Sequence, residues 1–288
     1  MIFVGKKNST SFFLLISLIL GLALYTALFS SCVYEDLSKC SRMFMLQPRY
    51  LLHTGEGDRF GEAVHHIDVY AFDSLGIYRK MFRDKGAHLK NGYRMPIDLP
   101  EGKWTFLCLG GKVGDYEIGI FKTGIPQQFS PAVSPGITTL SDFRVKAYFE
   151  QKENLEYSLG ELFFGRLDSV EITADNGGTG VVDLMKNTNK IEVRVKGIAD
   201  GSSARITSDN GRFNSENVTP ADAGTIIYVP YYSASQTDDT RVFQFDVLRL
   251  YTDGHLFLKL LNPDGTDVIP GFTKDLINAI MSSPAYHT

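Results

Sequence analysis

Cys32 is the side chain best placed for covalent chemistry. Small residues Ser30 and Ser31 precede it, an almost unbroken apolar run from Phe12 to Phe29 lies before them, and Lys6 and Lys7 form a positive flank. A thiol in that setting is a substrate for diacylation, with cleavage before it and acylation of the freed amino group. Residues 1–31 then read as a lipoprotein signal peptide and Cys32 as a palmitate-bearing anchor. Two alternatives stay open: an uncleaved membrane helix, for which the run barely reaches the ~18 residues a span needs, and an ordinary secretory signal cut near Ser30. Phe29 is bulkier than the residue usually found three places before such a cysteine.

Other groups that could do chemistry do not converge. His65 and His66 are adjacent, so in a strand they point to opposite faces and cannot share one ion. Gly110-Gly111-Lys112-Val113-Gly114-Asp115 lacks the lysine-serine or lysine-threonine ending of a phosphate loop and reads as a strand-terminating loop. Asn262-Pro263-Asp264-Gly265-Thr266-Asp267 has oxygens for calcium but not the EF-hand spacing, and reads first as a turn. No serine sits in a Gly-x-Ser-x-Gly elbow. Asn217-Val218-Thr219 matches a glycosylation sequon, which is uninformative in a bacterial context. The expectation is no enzyme, no metal and no cofactor.

With Cys32 spent on lipid, Cys40 and Cys108 remain in an oxidising compartment, an even pair that either forms one disulfide or stays as two thiols. Removing residues 1–31 takes away Lys6 and Lys7 and no acid, which moves the formal charge from −4 to −6. That balance disfavours nucleic acid. Tyr228, Tyr231 and Tyr232 gather around Pro230 as a candidate aromatic binding surface for a carbohydrate or protein.

The elements expected to carry these groups are short strands. Ile67 to Phe72, the turn Asp73-Ser74-Leu75-Gly76 and Ile77 to Phe82 predict a hairpin. Arg94 to Leu99, Pro100-Glu101-Gly102-Lys103 and Trp104 to Leu109 predict a second, ended by Gly110-Gly111. Further strands are expected at 143–149, 162–166, 170–173, 181–185, 191–195, 204–207, 225–232, 242–251 and 256–261, and a short helix at 275–281. This pattern is an all-β sandwich architecture. About 250 residues after the signal suggest two domains, divided here into residues 32–168 and 169–288, with the glycine-rich stretch 175–180 near the junction.

Several elements in order resemble the fimbrillin-associated anchor lipoproteins, basal subunits of the type V pili of Gram-negative gut and oral anaerobes. They are Cys32 with Glu35-Asp36-Leu37-Ser38 and Cys40; Val69-Tyr70-Ala71-Phe72-Asp73 with Gly76; Leu99-Pro100-Glu101-Gly102-Lys103-Trp104-Thr105-Phe106; Leu162-Phe163-Phe164-Gly165; and Leu184 to Val193. The resemblance implies two tandem transthyretin-like β-sandwiches, a pilus stalk subunit (fimbrillin) as partner, and attachment of the fibre to the outer membrane. A limit on fibre length is a further role that the resemblance allows. Val33 in place of aspartate, and the acidic pair Glu35-Asp36, point to an outer membrane location facing outward. The other function class is a surface carbohydrate-binding lipoprotein. Members usually continue beyond the segment matching Asp275-Leu276-Ile277, so the second sandwich is expected to be incomplete, with an unpaired edge beside 242–251 or 256–261.

Overall fold

The computed structural model describes residues 43–51, 55, 57–122, 128–147, 154–155, 158–173, 177–235, 239–271 and 274–282. Cys32, Cys40 and the whole signal segment lie outside them. Residues 42–288 form one compact unit. The protein is all-β, with nineteen strands and two short helices, Phe60–Ala63 and Ile277–Met281, among the described residues.

The first sheet has seven strands. They are β1 (Phe44–Tyr50), β2 (His66–Phe72), β3 (Tyr78–Lys85), β4 (Met95–Ile97), β5 (Gly102–Gly111), β10 (Leu162–Ile172) and β11 (Thr179–Lys186). Their order is β3-β2-β5-β10-β11-β1-β4, with β1 and β11 parallel and the other neighbours antiparallel. Alternation sorts the side chains into two cores. Phe44, Leu46, Ile67, Val69, Phe106, Cys108, Phe163, Val182 and Leu184 face one side with Phe60 and Leu89. On the other side Tyr70, Phe72, Leu107, Leu109, Leu162 and Phe164 enter a larger core.

The first expected hairpin is present as β2 and β3, and its turn is closed by Gly76 at φ 71° donating its N–H to Asp73 O. The second is not a hairpin. Both strands form, but β5 has β2 on one edge and β10 on the other, which leaves β4 no edge to pair with. β4 instead closes the opposite side of the sheet against β1. The strand ends at Gly111, which has φ 91°, and both glycines are still paired: Gly110 with Ile67 and Phe163, and Gly111 with Leu162. A Cβ on Gly111 would lie 2.3 Å from Glu161 O, so the missing side chain permits close pairing there. The segments expected at 162–166 and 170–173 are one strand, β10, with its irregularity between Leu167 and Val170, where Ser169 has φ 56°.

Three smaller sheets build the rest. One combines β14 (Arg212–Asn214), β8 (Phe143–Ala147), β6 (Tyr116–Lys122) and β7 (Gln128–Ser130). Another runs β19 (Lys274–Asp275), β18 (Leu256–Leu261), β13 (Ser203–Ser208), β15 (Ile226–Tyr228) and β9 (Asn154–Leu155). The last is β12 (Thr188–Lys196), β17 (Thr240–Leu248) and β16 (Tyr232–Ser235). Residue 168 falls inside β10; after β5 the chain leaves the first sheet for β6 to β9, returns to it with β10 and β11, and goes on to β12 after Asn187. The halves also interlock: β14 joins strands of the first half and β9 joins strands of the second. The larger core accordingly runs without interruption from Tyr70 and Leu107 to Phe243, Phe245 and Leu256.

Candidate functional site

The strand after Asn187 reads Thr-Asn-Lys-Ile-Glu-Val-Arg-Val-Lys, and its alternation is clean. Ile191 is buried, and Val193 and Val195 are partly buried against the larger core, while Lys190, Glu192, Arg194 and Lys196 are exposed. One edge of this strand, β12, pairs with β17 over nine positions, from Thr188↔Leu248 to Lys196↔Thr240. Its other edge pairs with no strand among the described residues. An unpaired ladder is a template for another strand. Val193 and Val195, half-covered at that edge, are the apolar surface such a strand would bury.

The two edges of the first sheet are blunted. β4 is three residues long and carries Pro96, which has no N–H to donate. The edge of β3 has the loop around Thr138 and Thr139 laid along its start: Ile77 bridges Thr139 and the Tyr78 N–H donates to Thr138 O at 2.8 Å. Farther along β3, Arg79, Lys80, Arg83 and Lys85 recur. β12 therefore offers the longest uncovered edge among the described residues.

Two features hold it in place. On the solvent face Gln244 Nε2 donates to Glu192 Oε2 at 2.9 Å and Arg194 Nε to Glu192 Oε1 at 2.6 Å. Those hydrogen bonds keep the Glu192 carboxyl below its ordinary range. At the root of the strand, Asn187 and Asn217 are buried and exchange side-chain amide hydrogen bonds. The Asn187 N–H donates to Leu162 O at 2.7 Å, the Arg249 N–H to Asn187 O at 2.8 Å, and the Tyr251 hydroxyl to Asn217 O at 2.9 Å. Asn217, the residue of the sequon, sits in this latch at φ 58° with no free amide to modify.

The edges expected to be open are closed. β17 is the middle strand of its sheet, and β18 lies between β13 and β19. The tyrosine surface loses its first member: Tyr228 is fully buried, donates its hydroxyl to Asn210 Oδ1 at 2.9 Å and accepts the Leu248 N–H at 3.1 Å. Burial raises its pKa above the ordinary phenol range. Tyr231 and the half-exposed Tyr232 stand at the start of β16, on the opposite side of β17 from β12.

Of the paired histidines, His66 meets Asp68 at 2.8 Å, and buried Asp68 accepts two hydrogen bonds from Arg83 at 2.7 Å. That is a structural ion pair. No group of three metal-ligating side chains occurs among the described residues. The segment Asn262 to Thr266 is a turn closed by the Asn262 N–H donating to Thr266 O at 2.8 Å.

Cys108 lies in the core beside α-carbon neighbours of β2 and β10, fully buried, and burial pushes its thiol well above the usual value. A thiolate is the reactive form, so alkylating reagents should leave Cys108 unlabelled in the folded protein and label it after denaturation. Mass spectrometry reads both states. Labelling at a normal rate before unfolding would contradict this packing, and resistance that persists in denaturant until reductant is added would reveal a partner thiol, for which Cys40 is the expectation.

Residues 37–288 match the family model described as fimbrillin-A associated anchor proteins Mfa1 and Mfa2. The chain belongs to that family. Among relatives of this anchor family member, the minor fimbrium anchoring subunit Mfa2 of Porphyromonas gingivalis is 24% identical over 284 residues, covering 94% of this chain and 82% of the relative. The solved structure of the fimbrial anchor protein Mfa2 from Porphyromonas gingivalis superposes with a TM-score of 0.66 at 21% identity, covering 84% of this chain and 85% of that one. A structure from Bacteroides thetaiotaomicron, provisionally described as a polysaccharide binding protein, gives 0.71 at 22% identity, covering 85% and 84%. These likenesses establish the fold, and the family assignment makes this a fimbrial anchor type of protein and not a member of an enzyme class.

Proposed function

We propose that this family member is the lipid-anchored base of a pilus, held in the outer membrane through acylated Cys32, facing outward, and capturing a stalk subunit by strand addition to β12. The observation that carries the reading is the edge of β12 around Ile191 to Val195, which pairs with no strand among the described residues and has Val193 and Val195 half-covered beside it. In strand addition the main-chain hydrogen bonds supply affinity and alternate side chains supply register. Catalysis has no part in it. The carbohydrate reading is weaker, because Tyr228 has left the surface it needed.

Deleting the gene in a piliated host should release fibres of the same stalk subunit into the medium, measured by immunoblot of cells and culture supernatant. Fibres that stay attached to the deletion strain would overturn the anchoring role.

A further inference from the structure

Strand directions sort the loops of the first sheet to its two ends. The chain enters β1 at Phe44. At that same end lie the start of β11, paired near Met45, and the end of β4, where Ile97 sits opposite Phe44. Gly102 at the start of β5 pairs with Ile172 at the end of β10, and Phe72 at the end of β2 pairs with Thr105 and with Tyr78 at the start of β3. The turn 73–77 and the connection 98–101 therefore share the end from which the chain leads back to Cys32. The loop around Ile137 lies there too, because Ile77 bridges Thr139 and the Gly136 N–H donates to Tyr78 O at 2.8 Å.

This end carries the two most exposed large aliphatic side chains among the described residues, Leu75 at 77% and Ile137 at 72%. Between the turn and the connection is an open groove of about 500 Å³ lined in part by Leu99, Pro100 and Trp104. Its charges are matched: Arg79 Nη2 lies 2.6 Å from Asp73 and Lys80 Nζ 3.4 Å from Asp98. A surface of this kind gains little from an anionic partner and more from an apolar one.

Eleven residues, Val33 to Met43, separate Cys32 from Phe44, and at about 3.5 Å per residue they reach at most ~40 Å when fully extended. We infer that this end of the sheet is a second membrane contact, in which Leu75 and Ile137 enter the lipid surface beside the acylated N-terminus. The inference rests on the lipid-anchor reading of Cys32. Side chains that enter the headgroup boundary to ~5–10 Å add to the acyl chains without spanning. Trp104, the sole tryptophan of the chain, lines the groove from the core, largely buried, with its indole N–H donated to Pro100 O at 3.1 Å. Tryptophan is at home at such interfaces. The contact fixes the orientation of the protein, directing the opposite end of the sheet, where β11 runs on into β12, away from the bilayer.

The test uses the mature acylated protein in vesicles of phosphatidylethanolamine and phosphatidylglycerol, with and without lipids bearing a nitroxide just below the headgroup. Trp104 fluorescence should be quenched only in the nitroxide vesicles, and the quenching should be lost in the double variant Leu75→Ser, Ile137→Ser while that variant still floats with the vesicles. Both side chains are exposed, so the variant keeps its core, and an unchanged unfolding transition confirms it. Undiminished Trp104 emission from protein that floats would overturn the membrane contact and leave the lipid anchor standing, and quenching that survives the double variant would overturn the role of these two residues. Protein that does not float would remove the anchor reading and this inference with it.

Discussion

Val193→Asp should abolish capture of the stalk subunit while the protein remains folded. Val193 is opposite Phe243 in β17 and only partly buried, and no strand pairs with the far edge of β12 among the described residues. In the free protein the new carboxylate can turn toward water at that edge, so the expected stability loss is about 1–3 kcal/mol, which a domain of ~5–15 kcal/mol tolerates. An added strand would close that route and trap an unpaired charge against the apolar core. Inward-pointing charge is one of the ways in which natural sheets prevent edge pairing. A burial penalty of ~3 kcal/mol corresponds to roughly a hundred-fold weaker binding, measurable by surface plasmon resonance against purified stalk subunit. Arg194→Ala, on the solvent face of the same strand, should stay within about 0.5 kcal/mol in stability and retain capture. Equal binding by Val193→Asp and the parent would move the capture site away from β12.

The open edge shows what a sequence can and cannot reveal. Local periodicity located most of the longer strands, though not β1 or β6, because alternation and turn chemistry act over a few residues: the β2–β3 hairpin is legible in Asp73-Ser74-Leu75-Gly76 alone. Sheet order is set by contacts that periodicity does not encode. β1 pairs in parallel with β11, with Met45 opposite Thr179, and β4 closes onto β1 although β5 follows it in the chain. The expectation that strands are missing after Asp275-Leu276-Ile277 puts the open edge beside β17 or β18. A better signal was available in the residues themselves. β17 has seven of its nine residues buried, as expected for an interior strand, whereas β12 alternates Lys190, Glu192, Arg194 and Lys196 with its apolar side chains. Charges recurring along a strand mark an edge or a solvated face. Tyr228 departs from expectation too: its clustering with Tyr231 and Tyr232 around Pro230 suggests a surface, but Asn210 and the Leu248 N–H satisfy its hydroxyl inside the core. The latch between Asn187 and Asn217 left no local trace, since its two halves are thirty residues apart.

Cys32→Ala should produce the complementary failure. At ~0.8 kcal/mol per buried methylene a single acyl chain gives marginal attachment, and lasting attachment needs at least two. Loss of the acylation site therefore removes the whole anchor, while the core, which among the described residues begins at Phe44 and packs through residues such as Leu46, Phe106 and Phe245, is built without the lipid. Membrane fractionation with surface proteolysis should show the protein leaving the outer membrane. A variant that stays in the membrane pellet as fully as the parent would instead assign retention to an uncleaved Phe12–Phe29 segment. The two variants separate anchoring from capture in one experiment on shed fibres. Cys32→Ala keeps β12 intact, so released fibres should carry the anchor protein, detectable by immunoblot of the supernatant. Val193→Asp keeps the lipid, so its released fibres should be bare and the anchor should remain on the cells. Anchor protein on the fibres shed by Val193→Asp cells would show that the link between base and stalk does not run through β12.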